Sequence, residues 1–404
     1  MTSPLPAEPV SLASDRSDPP VAEPLAVALS LVDEWAAGAR AILLSGSHAG
    51  GEAVWADVEG RRLSLSDLDT YAVVDGRAAQ RAAQARARAA RPGLRERLLA
   101  LGFAAPLEAA FLTGGDLARL AARPGTLELR RHARVMKGDP AWRERVPAWS
   151  AGDVSAEERL LLLENRAFEL LIAWHGLAAE PALERLQARH AVMKTALDLA
   201  GVLALAAGEY PDGAAARVEA ARRRLGAFPP GEAAVAADLP RLWEAALLWR
   251  ADPREAPGVA ASRAEWACAA RAWVALWRVL GGRPGEDTCA LALRLAARAS
   301  ARGRLRQALF FDSRGGAAPT PGSRLHHALR GTPRHRLNAS AALLVAAGAA
   351  APAGMPELAP VAATHRRLGV LSGAQLASWT AASRAAVMAW DRWLLDGQRT
   401  EGWR

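Results

Sequence analysis

The amino-acid sequence predicts an α+β chain: a mixed sheet flanked by helices in the N-terminal part, then a mainly α-helical C-terminal region. Three observations predict it. Ala41–Leu44 is a short apolar run halted at Ser45-Gly46-Ser47, Leu63–Val74 is a longer strand-like run, and from Ser155 onward apolar residues recur at helical spacing. A length of 404 residues allows two or three domains with ample core.

Residues 1–20 are rich in Pro, Ser and Asp and lack the basic-then-apolar pattern of a secretory signal, which predicts a disordered tail. The next unit, residues 21–150, holds the stretch that carries chemistry. Asp67 and Asp69 stand two residues apart on a predicted strand, so their side chains share a face. Two carboxylates a few ångströms apart repel unless a cation lies between them. Mg²⁺ answers that need, because it binds through one or two carboxylates plus substrate phosphates. The Gly46-Ser47 turn, leading into a helix, offers backbone N–H groups to those phosphates. Together these features suggest metal-assisted nucleotidyl transfer.

The pattern Gly-Ser followed by Asp-x-Asp on the next strand resembles the nucleotidyltransferase superfamily of DNA polymerase β. Within it, the chain is most similar to the bacterial minimal and aminoglycoside adenylyltransferase-like nucleotidyltransferases. The resemblance covers roughly residues 25–150 and, more loosely, the helices to about 225. It implies a nucleotidyltransferase domain over residues 21–150 and one or two Mg²⁺ ions on Asp67 and Asp69. It also implies ATP or another NTP as donor, with its triphosphate over Gly46 and Ser47. Ser47 and Asp67 lie 20 residues apart, about twice the distance in compact members. The extra length, Glu52–Arg62, reads as a hairpin turning at Asp57-Val58-Glu59-Gly60.

Gly76–Ala90 is helical on propensity, Pro92-Gly93 breaks it, and Leu94–Leu101 adds a further turn or two. Pro106–Thr113 reads as a third strand carrying a single acid, Glu108. The resemblance implies a third carboxylate on a neighbouring strand, as metal ligand or as general base. Glu108 follows the helix after the metal strand directly and is preferred. Glu128, within the strand-like run Thr126–Leu129, is the alternative. Glu128–Pro140 resembles the short helix and strand that close the catalytic domain in relatives and end at a Gly-Asp-Pro turn. Its Arg130, Arg131, Arg134 and Lys137 read as phosphate ligands or as a solvated face.

A helical domain is expected over residues 151–302. Ser155-Ala-Glu-Glu158 is a capping-box pattern opening a helix to Ala178; a second helix runs from Pro181 to Gly208 and a third from Ala214 to Leu225. Lys194, on the second helix, is one of two lysines against 49 arginines. In such a background a retained lysine marks a place where a compact ammonium is needed, and the resemblance implies that it reaches toward the nucleotide phosphates; an ordinary surface lysine is the other reading. Arg185 and His190 match the Arg-x4-His spacing of small helical ribonuclease domains that accompany minimal nucleotidyltransferases. Trp243, Trp249, Trp266, Trp273 and Trp277 fall at helical spacing, as core anchors or as an aromatic wall for a base. Residues 303–336 form a basic, irregular linker, in which Asp312 is the one acid among seven arginines. Residues 337–404 form a C-terminal helical subdomain.

The formal charge of +9 is uneven. Residues 1–150 hold 19 basic and 18 acidic side chains, so the excess lies C-terminal amid Ala, Gly and Arg typical of GC-rich coding. A near-neutral catalytic unit disfavours nucleic acid as partner, although residues 303–336 keep it open. No charge-free run of about 18 apolar residues is present, so no membrane span is expected. Cys268 and Cys289 form no metal or disulfide framework, which fits a reducing cytoplasm. The expected reaction is transfer of a nucleoside monophosphate, AMP by resemblance, to a hydroxyl of a small molecule, with release of pyrophosphate. A cationic acceptor such as an aminoglycoside would draw on Glu157, Glu158, Glu164 and Glu169. AMP transfer to a protein hydroxyl and a non-catalytic nucleotide-binding scaffold are the alternatives. No pattern reports an oligomeric state.

Overall fold

The computed structural model describes residues 22–283, 285–298, 333–351 and 356–394. Among them, six strands form two sheets. The chain enters through helix α1 (Ala22–Trp35) into strand β1 (Ala41–Ser45), every residue of which is buried. An apolar run covered on both faces suits a central strand. β1 lies between β4 (Leu68–Val74) and β6 (Arg134–Lys137), antiparallel to both. β5 (Leu107–Thr113) runs parallel to β4 on its outer side, giving the order β5-β4-β1-β6. A parallel neighbour requires a long crossover, supplied by α3 (Gly76–Ala89) and α4 (Leu94–Ala100). One sheet face packs Ile42, Leu44, Leu107 and Phe111 with Val32, Trp35 and Leu98. The other buries Leu43 and Val73 with Leu117, Leu129 and Val146.

The expected strand Leu63–Val74 is two strands. β2 (Trp55–Val58) and β3 (Arg61–Ser64) form the predicted hairpin, and its turn residues Glu59 and Gly60 have φ of 50° and 76°, as a tight two-residue hairpin turn requires. The chain then leaves the ladder before β4. Its polar groups are met elsewhere: Val54 N–H donates to Ser66 Oγ at 2.9 Å, and Ser64 Oγ lies 3.1 Å from His48 Nε2. Asp67 therefore stands at the mouth of β4, and only Asp69 lies on the strand. The apolar side of the hairpin (Val54, Ala56, Val58, Leu63) joins the core of the helical region. The extra residues between Ser47 and Asp67 thus bracket the sheet to the helices.

A single turn, α5 (Gly114–Leu117), follows β5. Glu128 lies on helix α6 (Pro124–His132) and not on a strand, because Pro124 occupies the first turn, where its missing N–H costs nothing. Beyond the sheet come α7 (Ala156–Gly176), α8 (Ala182–Ala206), α9 (Ala214–Arg222), α10 (Ala233–Ala251), α11 (Val259–Gly281) and α12 (Thr288–Ala296). They are followed by α13 (Pro333–Ala349), α14 (Ala359–Leu368) and α15 (Trp379–Leu394). Ser155 caps α7, its Oγ accepting from Glu158 N–H at 3.2 Å. A Cβ on Gly176 would meet that of Ala188 at 2.9 Å, so α7 and α8 pack backbone to backbone.

Trp243, Trp266, Trp273 and Trp277 are fully buried core anchors. Trp266 and Trp273 also donate their indole N–H groups to the α7 carbonyls of Leu170 and Leu163, at 2.6 and 2.7 Å. In the same core Glu164 accepts from both Arg298 Nη atoms at 2.8 and 3.0 Å and from Asn338 Nδ2 at 2.8 Å. Residues 1–20 and 303–332 lie outside the described residues, and the remainder of the expected linker, 333–336, is the first turn of α13. No helix among the described residues is long and apolar enough to cross a membrane.

Candidate functional site

Gly46 and Ser47 open α2 (Gly46–Ala49), a single turn after β1. Gly46 has φ +65°, and a Cβ there would sit 2.3 Å from Asp69 Oδ2. Only glycine lets the turn lie directly against the carboxylate. Strand register does the rest. Antiparallel pairing sets Ser45 opposite Asp69, and parallel pairing sets Glu108 beside Asp69 on the next strand. From α8, Lys194 donates to Asp67 Oδ2 at 2.9 Å, so it is a cleft lysine held against the acidic cluster. His48, on α2, bridges Ser64 Oγ and the Ser66 carbonyl at 3.1 and 3.2 Å. Burial pushes its pKa down, so it acts as a neutral strut that fixes the approach to β4.

Burial, followed by the charges of Glu108 and Asp67, raises the Asp69 carboxyl to about 7; Lys194 opposes the rise. A carboxyl whose pKa rises on folding gives stability that is present below its unfolded value and lost as pH climbs to the folded one. In metal-free buffer the wild type is therefore expected to lose stability relative to Asp69→Asn between pH 3.8 and about 7. The buried histidines titrate in the opposite sense, but they cancel in that difference. Urea melts of both chains across the range check it, and parallel profiles would contradict it.

Two clefts reach Asp69. The first, about 260 Å³, separates the sheet from the helices. Gly46, Ser47, Asp67 and Asp69 line one side; His190, Lys194 and Asp198 of α8, Arg217 of α9 and Arg250 of α10 line the other. His190, Lys194 and Asp198 follow one another at four-residue steps and so share a helix face. The second cleft, about 470 Å³, follows β5 between α3 and Trp35 and includes Asp69, Glu108, Gln84, Arg88 and Arg91. Glu128 faces the first cleft, where Tyr210 OH donates to it at 2.8 Å and Arg217 lies 3.4 Å away. Of the two alternatives for a third acid, Glu108 is in register with Asp69, whereas Glu128 is engaged by the helical region.

Several expectations are corrected. Glu157, Glu158, Glu164 and Glu169 do not line either cleft. Glu164 is held by Arg298 and Asn338, Glu158 by Arg123 at 2.9 Å, and Glu169 by Arg166, one turn earlier on the same helix, at 3.5 Å. The acids that do face the first cleft beside Asp67 and Asp69 are Glu52, Glu128, Asp198 and Asp212. Arg130, Arg131 and Lys137 tether the closing segment to Glu144, Asp212 and Asp33. Arg185 binds Glu255 at 2.5 Å, while His190 lines the cleft. Five residues along a helix turn the side chain by about 140°, so the two make no joint site. Trp249 contributes to the cleft wall, and its indole is 5.7 Å from the His190 ring.

Sequence reasoning missed Glu52, Arg217, Arg250, Arg166 and Asp198. Glu52 and Arg217 lie 165 residues apart and carry no shared motif. The four-residue phase from Lys194 to Asp198 was the one available signal.

No protein-family model matches the chain, and neither the search of curated proteins nor that of solved structures found a match. The functional reading therefore stands on residues and geometry.

Gly46→Ala brings a methyl into the Asp69 carboxylate and strains a left-handed backbone. It is expected to lower any Asp69-dependent activity on the order of 100-fold, the cost of a displacement near 1 Å. Steady-state rates check it; an unchanged rate would show that the contact is irrelevant.

Proposed function

We propose that the chain transfers a nucleoside monophosphate from an NTP, ATP by resemblance, to an acceptor hydroxyl and releases pyrophosphate. The observation that carries this reading is the register: Glu108 beside Asp69 on adjacent strands, with Asp67 at the strand mouth and the Gly46 turn against Asp69. Oxygen donors that are desolvated and mutually repelling suit a hard cation. Among the described residues, no group of three His, Cys, Asp or Glu side chains is gathered to hold a metal by itself. A Mg²⁺ ion that completes its shell with substrate phosphate and water needs only Asp67 and Asp69. When bound it would neutralise charge on the transferring phosphoryl group.

The chain's own residues supply the rest. In this reading the Gly46-Ser47 backbone cradles the triphosphate, and Lys194 moves from Asp67 to a phosphate oxygen. Glu108 takes the proton of the acceptor hydroxyl, whose oxygen bonds to the α-phosphorus as the bond to pyrophosphate breaks. Donor and acceptor would approach along the two clefts that meet at Asp69. A small hydroxylated molecule is the first acceptor class to try and a protein hydroxyl the second. Incubation with each α-labelled NTP and Mg²⁺ tests the reading: label is expected on a small molecule or on protein. No labelled product with any NTP would overturn it.

Lys194→Met is expected to raise the NTP KM about tenfold through loss of a charged phosphate contact. Unchanged KM and kcat would remove that role. One observation favours a second reading: the Lys194 ammonium on Asp67 supplies positive charge without a metal. A non-catalytic nucleotide-binding protein would bind NTP without product, and with equal affinity in EDTA and in Mg²⁺.

A further inference from the structure

The wall of the first cleft opposite the aspartates contains an arrangement that has no role in the transfer steps described above. Glu52 Oε1 accepts from Ala214 N–H at 2.8 Å, at the N-terminus of the nine-residue α9. Its Oε2 lies 3.3 Å from Arg217 and 3.6 Å from Arg250, and Arg250 also donates to the Glu52 backbone carbonyl. Both guanidinium side chains are largely removed from water, at 14 % and 22 % exposure.

Two arginine–carboxylate pairs in which the carboxylate is held bidentately, Arg298 with Glu164 and Arg77 with Asp116, sit closer, at 2.8 Å each. Here one two-oxygen carboxylate is stretched over a helix N-terminus and two desolvated cations, and Arg217 finds Glu128 only at 3.4 Å. An independent observation lies in the same cleft. His190 Nδ1 is buried and, among the described residues, has no hydrogen-bond partner; it lies on the helix face that carries Lys194. A tetrahedral oxyanion offers more oxygens than a carboxylate and fits this set of donors better.

We infer that Ala214 N–H, Arg217, Arg250 and His190 form an anion subsite for a phosphate-bearing group, and that the chain's own Glu52 occupies it as a displaceable stand-in. Glu52 is 28 % exposed, so its carboxylate has a path to solvent when the anion enters. The subsite deepens the transfer reading and rests on it only for the source of the anion. That source is the donor's own phosphates or an anionic group on the acceptor.

The test is calorimetric titration of the full chain with inorganic pyrophosphate in EDTA, without turnover. Glu52→Gln keeps the shape and the oxygen that caps Ala214 but removes the competing charge. It is expected to bind pyrophosphate at least tenfold more tightly than wild type, and adding Arg250→Gln or Arg217→Gln should abolish the gain. Glu52→Gln within twofold of wild type, or a gain that survives both arginine changes, would overturn the proposal. Circular dichroism confirms that each variant is folded, and the Glu52→Gln comparison alone decides should an arginine variant fail to fold. Repeating the titration with Mg²⁺ and a non-hydrolysable α,β-methylene ATP separates the sources: competition identifies donor phosphates, and additive binding identifies an acceptor anion. Because the readout needs neither metal nor product, loss of the transfer reading leaves the subsite testable, and the reverse holds.

Discussion

Asp69→Asn is expected to lower kcat/KM for nucleotidyl transfer by about 10³-fold or more, with the fold intact. The size follows from the position of the side chain. Asp69 is desolvated, lies in register with Glu108, is touched by the Gly46 turn and faces both clefts. Removing one preorganised charged group from such a site costs about 10²–10³ in rate, and loss of a cation ligand adds to it. An asparagine keeps the volume and relieves repulsion with Glu108 and Asp67, so stability at neutral pH should rise. Activity lost while the melting temperature holds or rises is the expected pair of results. Retained activity would remove Asp69 from the chemistry, and lost activity with lost fold would leave the role to Asp67→Asn.

Trp273→Ala is expected to destabilise the chain by about 3–5 kcal/mol, the range for truncating a buried tryptophan. Trp273 is fully buried, stacks on Trp277 with ring centroids 5.7 Å apart, and donates to the Leu163 carbonyl at 2.7 Å. It therefore fixes α11 on α7, the helix that also carries Glu164 and Arg166. The truncation removes packing and a buried hydrogen bond together. Urea unfolding measures the loss; a change below 1 kcal/mol would show that the helical core tolerates the cavity. Loss of activity in proportion to unfolded fraction alone would show that the tryptophan acts through packing.

What was legible in the sequence depended on how local the signal was. Ala41–Leu44 read as a short apolar run halted at Ser45-Gly46-Ser47, and residues 57–60 read as a turn because Asp and Gly punctuate strands; the central place of β1 and the positive φ of Glu59 are set by tertiary contacts. Asp67 and Asp69 read as neighbours through strand period, yet Asp67 proved to sit before the strand. The polar bonds of Ser64 and Ser66, which end β3, reach His48 and Val54, and no local pattern reports them. Glu128 was misplaced because Leu-Glu-Leu fits either period, and Pro124 should have decided for a helix. The tryptophans were legible as anchors, since large aromatics at helical spacing have few other places to go. The cleft wall was not legible: Glu52, Arg217 and Arg250 meet across about 200 residues, and among 49 arginines no single one is marked by composition. The same hairpin that lengthens the gap between Ser47 and Asp67 carries the explanation, because its apolar face binds the helical core and Glu52 enters beside it.

The most direct measurement of the central claim follows the two ends of the triphosphate. The full chain is incubated with Mg²⁺ and with ATP labelled at the α- or the γ-phosphate, in the presence of an aminoglycoside, total protein or RNA as acceptor. The account predicts that the α-label becomes attached to an acceptor while the γ-label leaves as pyrophosphate, and that Asp69→Asn abolishes both. Appearance of the γ-label on an acceptor or as orthophosphate, or tight NTP binding with the α-label remaining in nucleotide, would contradict it.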